Sequence, residues 1–169
     1  FNGRIVLPPQ RQATVALTIG GVIKNTSLLP GQHVTKNSVI ATLENPEFIT
    51  LQQTYLDSHA QTEYLRMEYE RQKNLSAEQA ASQKKFQQSK ADYLSMKSRQ
   101  DAAATQLSLL GVNPETLLRD GIQPLLEVKA PISGYVVNVA MNMGKYINPG
   151  EALCEVIDKS APMLCLTTY

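Results

Sequence analysis

Side chains able to do chemistry are few in this sequence, and they stand far apart. There are two histidines, His33 and His59, and two cysteines, Cys154 and Cys165. Neither histidine has a partner at metal or catalytic spacing, so both read as solvated residues, His33 in a turn and His59 on a helix. The cysteines are too few for a disulfide framework and lack metal-site spacing. They read as two buried thiols, or as a single bridge between adjacent strands. Met141 and Met143 alternate on a predicted strand, which would turn both thioethers to one side and offer soft sulfur to Cu(I). Packing is the plainer reading, and these two are the only metal candidates. No Gly-rich phosphate loop, nucleophile elbow or His-Glu-x-x-His pattern occurs. The chain therefore reads as non-enzymatic, with no catalytic residue and no cofactor.

With no reaction marked, the informative pattern lies in the elements. Between Pro46 and Gly111 there is no glycine and no proline, although the chain holds nine of each. The stretch is rich in Gln, Ala, Leu, Lys and Glu, which are good helix formers. Asn45-Pro46-Glu47 supplies a capping side chain, a proline suited to the first helical position, and an acid at the positive end of the dipole. A 3-4 spacing follows in Phe48, Leu51, Tyr55, Ser58, Thr62, Leu65, Tyr69 and Gln72. It recurs in Phe86, Ser89, Tyr93, Met96, Gln100, Ala103, Leu107 and Leu110. This predicts two antiparallel arms of about 28–30 residues, roughly 42–45 Å each. The turn is expected near Asn74 to Ala81, with Ser82 as N-cap of the second arm or Ser76 with Gln79 as a capping box. Gly111 is the expected stop, and Pro114 and Gly121 mark a linker. About half the seam is polar, so an isolated hairpin should be weakly held.

The flanks read as strands. Arg4 to Leu7, Thr14 to Ile19, a strand opening at Val22-Ile23 and Val39 to Leu43 are separated by Pro8-Pro9, Gly20-Gly21 and Pro30-Gly31. The second flank repeats the first at a constant offset: Ile19 matches Ile132, Gly21 Gly134, Gly31 Gly144, Val34 Ile147, Asn37 Gly150, Ile40 Leu153 and Leu43 Val156. Asn37 opposite Gly150 is physically sensible, because both tolerate a left-handed backbone. Two such strand sets imply one pseudo-symmetric β domain split by the hairpin, since neither half could bury its apolar face alone.

Composition narrows the class. Hydrophobic residues make up 43% and charged residues 18% of the 169, which suits a globular chain. A net charge of +1 leaves no electrostatic reason to expect nucleic acid. No apolar run approaches the roughly 18 residues of a membrane span. The sequence starts without Met and stops inside the apolar run Met163 to Leu166, so it is expected to be a piece of a longer protein.

Three segments carry a family resemblance: Gly31-Gln32-His33-Val34, Glu44-Asn45-Pro46-Glu47-Phe48, and Ala130-Pro131-Ile132-Ser133-Gly134-Tyr135-Val136. Together with the split domain they resemble the membrane fusion protein family, the haemolysin-D-like periplasmic adaptors of tripartite efflux pumps. Leu107 to Gly111 looks most like its heavy-metal resistance-nodulation-division (RND) branch. The resemblance implies an α+β fold: a split lipoyl-like (barrel-sandwich hybrid) domain from residues 10–45 and 121–158, an inserted coiled-coil hairpin over 46–111, and strands of a truncated β-barrel domain at 1–9 and 159–169. It further implies an inner-membrane RND transporter and a TolC-type outer-membrane channel as partners, and a side-by-side ring, typically of six. The place would be the Gram-negative periplasm, with the full-length protein attached to the inner membrane. Arg71, Leu75 and Ser82 match the spacing with which many adaptors of the family dock the hairpin end to the channel. An adaptor of an ABC-type exporter or type I secretion system has the same parts. A lipoyl-like domain also invites a carrier role, but the lysine-bearing turn of true carriers is replaced here by Asn45 and the hairpin, and Lys129 lies on the return strand.

Overall fold

The computed structural model describes the backbone of residues 2–78 and 83–167, and within them the side chains of 3–77 and 83–163. The chain forms two compact units, one built from both flanks up to Asn45 and from Leu125, the other spanning Pro46–Pro124.

Among the described residues the flanking unit has ten strands. From the first flank come β1 (Asn2–Val6), β2 (Gln12–Ala16), β3 (Gly21–Thr26), β4 (His33–Val34) and β5 (Val39–Glu44). From the second come β6 (Leu126–Lys129), β7 (Gly134–Val137), β8 (Tyr146–Ile147), β9 (Ala152–Ile157) and β10 (Met163–Thr167). A short 3-10 turn at Pro9–Arg11 separates β1 from β2. Eight strands form two antiparallel sheets, ordered β2-β9-β7-β4 and β6-β5-β3-β8, and β1 pairs with β10 in a separate ribbon.

The sequence repeat is the symmetry of these sheets. It maps β2 on β6, β3 on β7, β4 on β8 and β5 on β9, and exchanging those labels turns one sheet order into the other. Each sheet thus draws two strands from each flank, which is why neither flank can form a sheet by itself. The loop hydrogen bonds obey the same operation: Gly31 N donates to Val136 O at 2.7 Å, and Gly144 N to Ile23 O at 2.8 Å. Asn37 and Gly150 both take left-handed turns, with φ of 68° and 78°, and their N–H groups donate at 2.8 Å to Ala130 O and Leu17 O. The matched pair Gly21 and Gly134 is required for close approach. A Cβ at Gly21 would strike the Glu44 carbonyl, and one at Gly134 the Ile157 carbonyl, itself the repeat mate of Glu44. Val15, Ile23, Ile40, Leu43, Leu126, Val136, Leu153 and Val156 fill the core from alternating strand positions.

The second unit is an antiparallel pair, α1 (Pro46–Glu78) and α2 (Gln83–Leu109), with a third helix α3 (Pro114–Asp120). The start at Pro46 is where the sequence places it. The far end is not: α1 runs 33 residues against 27 for α2, so Asn74 to Glu78 are helix rather than turn. Nothing in that segment can stop a helix, and Ser76 spends its hydroxyl inside it, donating to Lys73 O at 3.0 Å. Ser76 is therefore no N-cap. Ser82 and Gln79 lie outside the described residues. Gly111 ends α2 in a Schellman arrangement, with φ of 79°, Gly111 N donating to Ser108 O and Val112 N to Leu107 O. The expected linker at Pro114 to Gly121 is instead α3, capped by the Asn113 side chain, which accepts from Glu115 N at 3.0 Å.

Candidate docking tip and the seam beneath it

The seam of the pair follows the sequence pattern, with one shift near its base. Phe48, Tyr55, Ser58 and Thr62 of α1 and Ser89, Ala103, Leu107 and Leu110 of α2 are buried. Leu51 is only half-buried, and Gln52 beside it is fully enclosed. Its amide is satisfied by backbone: Nε2 donates to Gln123 O at 2.9 Å and to Phe48 O at 3.2 Å, while Oε1 accepts from Gln123 N at 2.8 Å. Gln52 thus ties the first turns of α1 to the segment after α3, a role its polar side chain hid from the apolar spacing.

Above this the seam turns polar. His59 Nδ1 lies 2.9 Å from Gln100 Nε2, and its ring tilts against Tyr55. Burial raises the Tyr55 hydroxyl above its ordinary pKa, against a lowering hydrogen bond with Gln100. His59 is a seam residue rather than a solvated one. Thr62 Oγ1 is buried with no hydrogen-bond partner among the described residues. Closer to the tip the seam becomes aromatic: Tyr69 stacks between Phe86 and Tyr93, each centroid 5.6 Å away, with planes 20° and 8° apart.

The tip residues stand on this clamp. Arg71 and Leu75, one turn apart on α1, are both exposed, Leu75 by 45%. Ser82 lies outside the described residues, so the third member of the expected trio has no position here. The Arg71 guanidinium is ion-paired one turn back with Glu68, whose other oxygen accepts from Gln72 Nε2 at 3.0 Å. Arg66 pairs with Glu63 at 3.0 Å and Glu70 at 3.2 Å, and its hydrogen bond holds the Glu63 carboxyl below the usual range. An exposed ion pair of this kind is worth well under about 1 kcal/mol, so Arg71 can exchange Glu68 for carbonyls or carboxylates of a partner.

The remaining candidates do not converge. Met141 and Met143 lie in the loop between β7 and β8, not on a strand; one is buried and the other exposed, so their sulfurs do not share a face. The loop is needed to carry the chain from one sheet to the other, which breaks the alternation. His33 sits on β4 rather than in a turn, edge-on to Tyr135 with centroids 5.2 Å apart, and Lys159 Nζ lies 5.1 Å above that ring. Cys154 is a free thiol, buried in β9; desolvation foremost, and then Glu155, push it up to about 11. The bridge alternative fails for a topological reason: β9 lies between β2 and β7, whereas Cys165 is on β10, paired with β1. Among the described residues no three His, Cys, Asp or Glu side chains gather as a metal site, and no helix is long and apolar enough to cross a membrane.

Comparison with known proteins agrees with this architecture. Over nearly the whole chain the fold resembles ZneB of Cupriavidus metallidurans, with 24% identity, a TM-score of 0.61, and coverage of 96% of this chain and 66% of that one. It resembles a MacA–MexA chimera carrying the α-hairpin domain of Pseudomonas aeruginosa MexA, at 21% identity and TM-score 0.65, covering 92% and 50%. It also resembles the membrane fusion protein Spr0693 of Streptococcus pneumoniae R6, at 16% identity and TM-score 0.52, covering 96% and 67%. The chain thus spans half to two-thirds of the length of these proteins. No curated protein sequence matches it. The model of the CzcB-like barrel-sandwich hybrid domain matches residues 11–158, from the turn before β2 to the end of β9 with the hairpin included, and the chain belongs to that family.

Proposed function

We propose that this chain is the hairpin-bearing part of a periplasmic adaptor in a tripartite efflux pump. The adaptor joins an inner-membrane RND transporter to a TolC-type outer-membrane channel in a Gram-negative cell, and metal cations are the cargo. It is held at the inner membrane by the full-length protein and works as a ring of copies. The observation that carries this reading is a pseudo-two-fold sandwich interrupted by a long antiparallel pair that presents Arg71 and Leu75 near its turn. Such a part needs no reaction. Its work is geometric: α1 spans about 50 Å, a useful fraction of the gap between two membranes. Membership of a CzcB-like family and the likeness to a membrane fusion protein support the adaptor role and favour a cation pump.

Leu75 offers apolar area and Arg71 a five-donor guanidinium to the end of the channel, with Ser82 as the third expected contact. Arg71→Asp and Leu75→Ser in the whole adaptor are expected to abolish cross-linking to the channel and the resistance it confers, while helix content and abundance stay unchanged. Intact cross-linking and resistance would refute docking by this tip. A deletion strain is expected to become sensitive to metal salts; sensitivity to organic drugs alone refutes the cation cargo. Co-purification with an ATP-driven exporter instead of a proton-driven transporter refutes the RND assignment.

A further inference from the structure

The ribbon of β1 and β10 reaches the sandwich through two short connectors, residues 7–11 and 158–162. Its strands pack chiefly on each other. Ile5 of β1 is 72% exposed and Met163 of β10 58%, so apolar burial against the sandwich contributes little to the ribbon's direction. Ladder bonding does not fix it either. The last rung of the β2–β9 ladder is Asp158 N to Arg11 O at 2.8 Å. Among the described residues no backbone hydrogen bond crosses the connectors from there to the pairing of Val6 with Met163.

What crosses the gap is charge. Arg11 Nη1 donates to Asp158 Oδ2 at 2.6 Å and to Ser160 Oγ at 2.5 Å, and Ser160 N donates to Asp158 Oδ1 at 2.9 Å. Lys159, between those two, holds its ammonium 5.1 Å from the centre of the Tyr135 ring on β7, and His33 meets that ring edge-on. Three consecutive residues of the outgoing connector are thus pinned by two cations. Both cations are at the surface: the Arg11 and Asp158 side chains are 38% and 31% exposed, and Lys159 is exposed. Exposed contacts of this kind are weak and are screened by salt.

The repeat supplies a comparison within the same molecule. Asp158 corresponds to Asn45, where the chain leaves the sandwich for α1. Asn45 is buried, and its amide donates to Gly20 O at 2.5 Å. One exit is therefore tied by a buried neutral hydrogen bond, which salt barely touches, and the equivalent exit by exposed ions.

We propose that Arg11 and Lys159 form a releasable clasp that sets the direction of the β1–β10 ribbon. Closed, it makes ribbon and sandwich one body. Open, the ribbon turns on its two connectors while both four-stranded sheets stay intact. Release needs only competition for the two cations by other anions. Pro8, Pro9 and Pro162 stiffen the connectors, so the ribbon moves as a whole rather than unravelling. A partner held by the ribbon then moves independently of one held by the sandwich, which suits a part that joins two other proteins. That use, unlike the clasp itself, rests on the adaptor reading above.

Distances between paired nitroxide labels test it in the whole chain, in a Cys165→Ser background, since the Cys154 thiol is buried. One label goes on Ile5→Cys in β1 and the other on Glu127→Cys in β6, both exposed positions. A single narrow distance is expected at low salt, and its loss in about 1 M NaCl, where the screening length falls to about 3 Å. Arg11→Gln with Lys159→Gln should lose the narrow distance at low salt already, whereas Lys159→Arg, which keeps a cation for the Tyr135 ring, should keep it. A control pair across the two sheets, Thr14→Cys with Glu127→Cys, is expected to hold one distance throughout, which separates release of the ribbon from loss of the fold. Should the control broaden in the double variant, the salt series on the chain with Arg11 and Lys159 intact decides. A ribbon distance already broad at low salt, or one that stays narrow in high salt or in a folded double variant, overturns the clasp. Channel cross-linking that still depends on Arg71 and Leu75 would then leave the adaptor reading standing; a working clasp without that dependence would do the reverse.

Discussion

At the scale of single residues, Asp158 is a polar group held by several partners, where β9 hands the chain on towards β10. Oδ1 accepts from Ser160 N at 2.9 Å and Oδ2 from Arg11 Nη1 at 2.6 Å, and Asp158 N donates to Arg11 O at 2.8 Å. The Ser160 backbone and hydroxyl, and then Arg11, lower its pKa from 3.8 to about 2. A depressed carboxyl stabilises the fold fully above its unfolded value, and that contribution disappears as pH falls through the folded one. Wild type is therefore expected to be more stable than Asp158→Asn at pH 7. The gap between their urea midpoints should shrink between about pH 4 and pH 2. Equal midpoints at pH 7 would show that the carboxylate contributes nothing. The Arg11 contact was not legible in the sequence, because Arg11 and Asp158 are 147 positions apart.

At the scale of elements, the hairpin separates what spacing can reveal from what it cannot. Every apolar seam position in the predicted 3-4 series is buried or half-buried. Gln52 was missed because a glutamine between Leu51 and Tyr55 reads as a solvated residue, and only the Gln123 backbone gives its amide a reason to be inside. Gln52→Leu strands those two backbone groups and is expected to cost roughly 1–3 kcal/mol by chemical denaturation. Thr62→Val works in the opposite sense, since the Thr62 hydroxyl is already buried without a partner among the described residues. That change is expected to stabilise by about 1 kcal/mol, and a loss of similar size would mean the hydroxyl has a partner in solution. The α3 helix had a sequence signal that went unread: Asn113-Pro114-Glu115 repeats the Asn45-Pro46-Glu47 start, and Gly121 stops it.

At the scale of the whole molecule, the split sandwich contains its own closure. β5 and β6 are antiparallel neighbours, with Leu43 opposite Leu126, although the hairpin separates them in sequence. Every ladder of the two four-stranded sheets lies within the flanks. Replacing residues 46–124 by a short turn is therefore expected to leave a folded, cooperatively melting β domain with the amide protection of β5 and β6 retained. A molten product would show that the sandwich needs the helices. Isolated helices, by contrast, have a half-polar seam and lean on packing for stability.

Sequence alone determined the arms, their Pro46 start and Gly111 stop, and the two-fold repeat. Helix and turn chemistry is local, and a repeat is visible without coordinates. It also placed Asn37 opposite Gly150 in matching left-handed turns. Only the tertiary structure decided how the flanks interleave, that Asn74 to Glu78 continue α1, and that Met141 and Met143 diverge. The reason is that pairing, burial and height depend on which distant segments meet. In this chain the 113-residue offset sets that for the sheets, and the aromatic clamp at Tyr69 sets it for the hairpin.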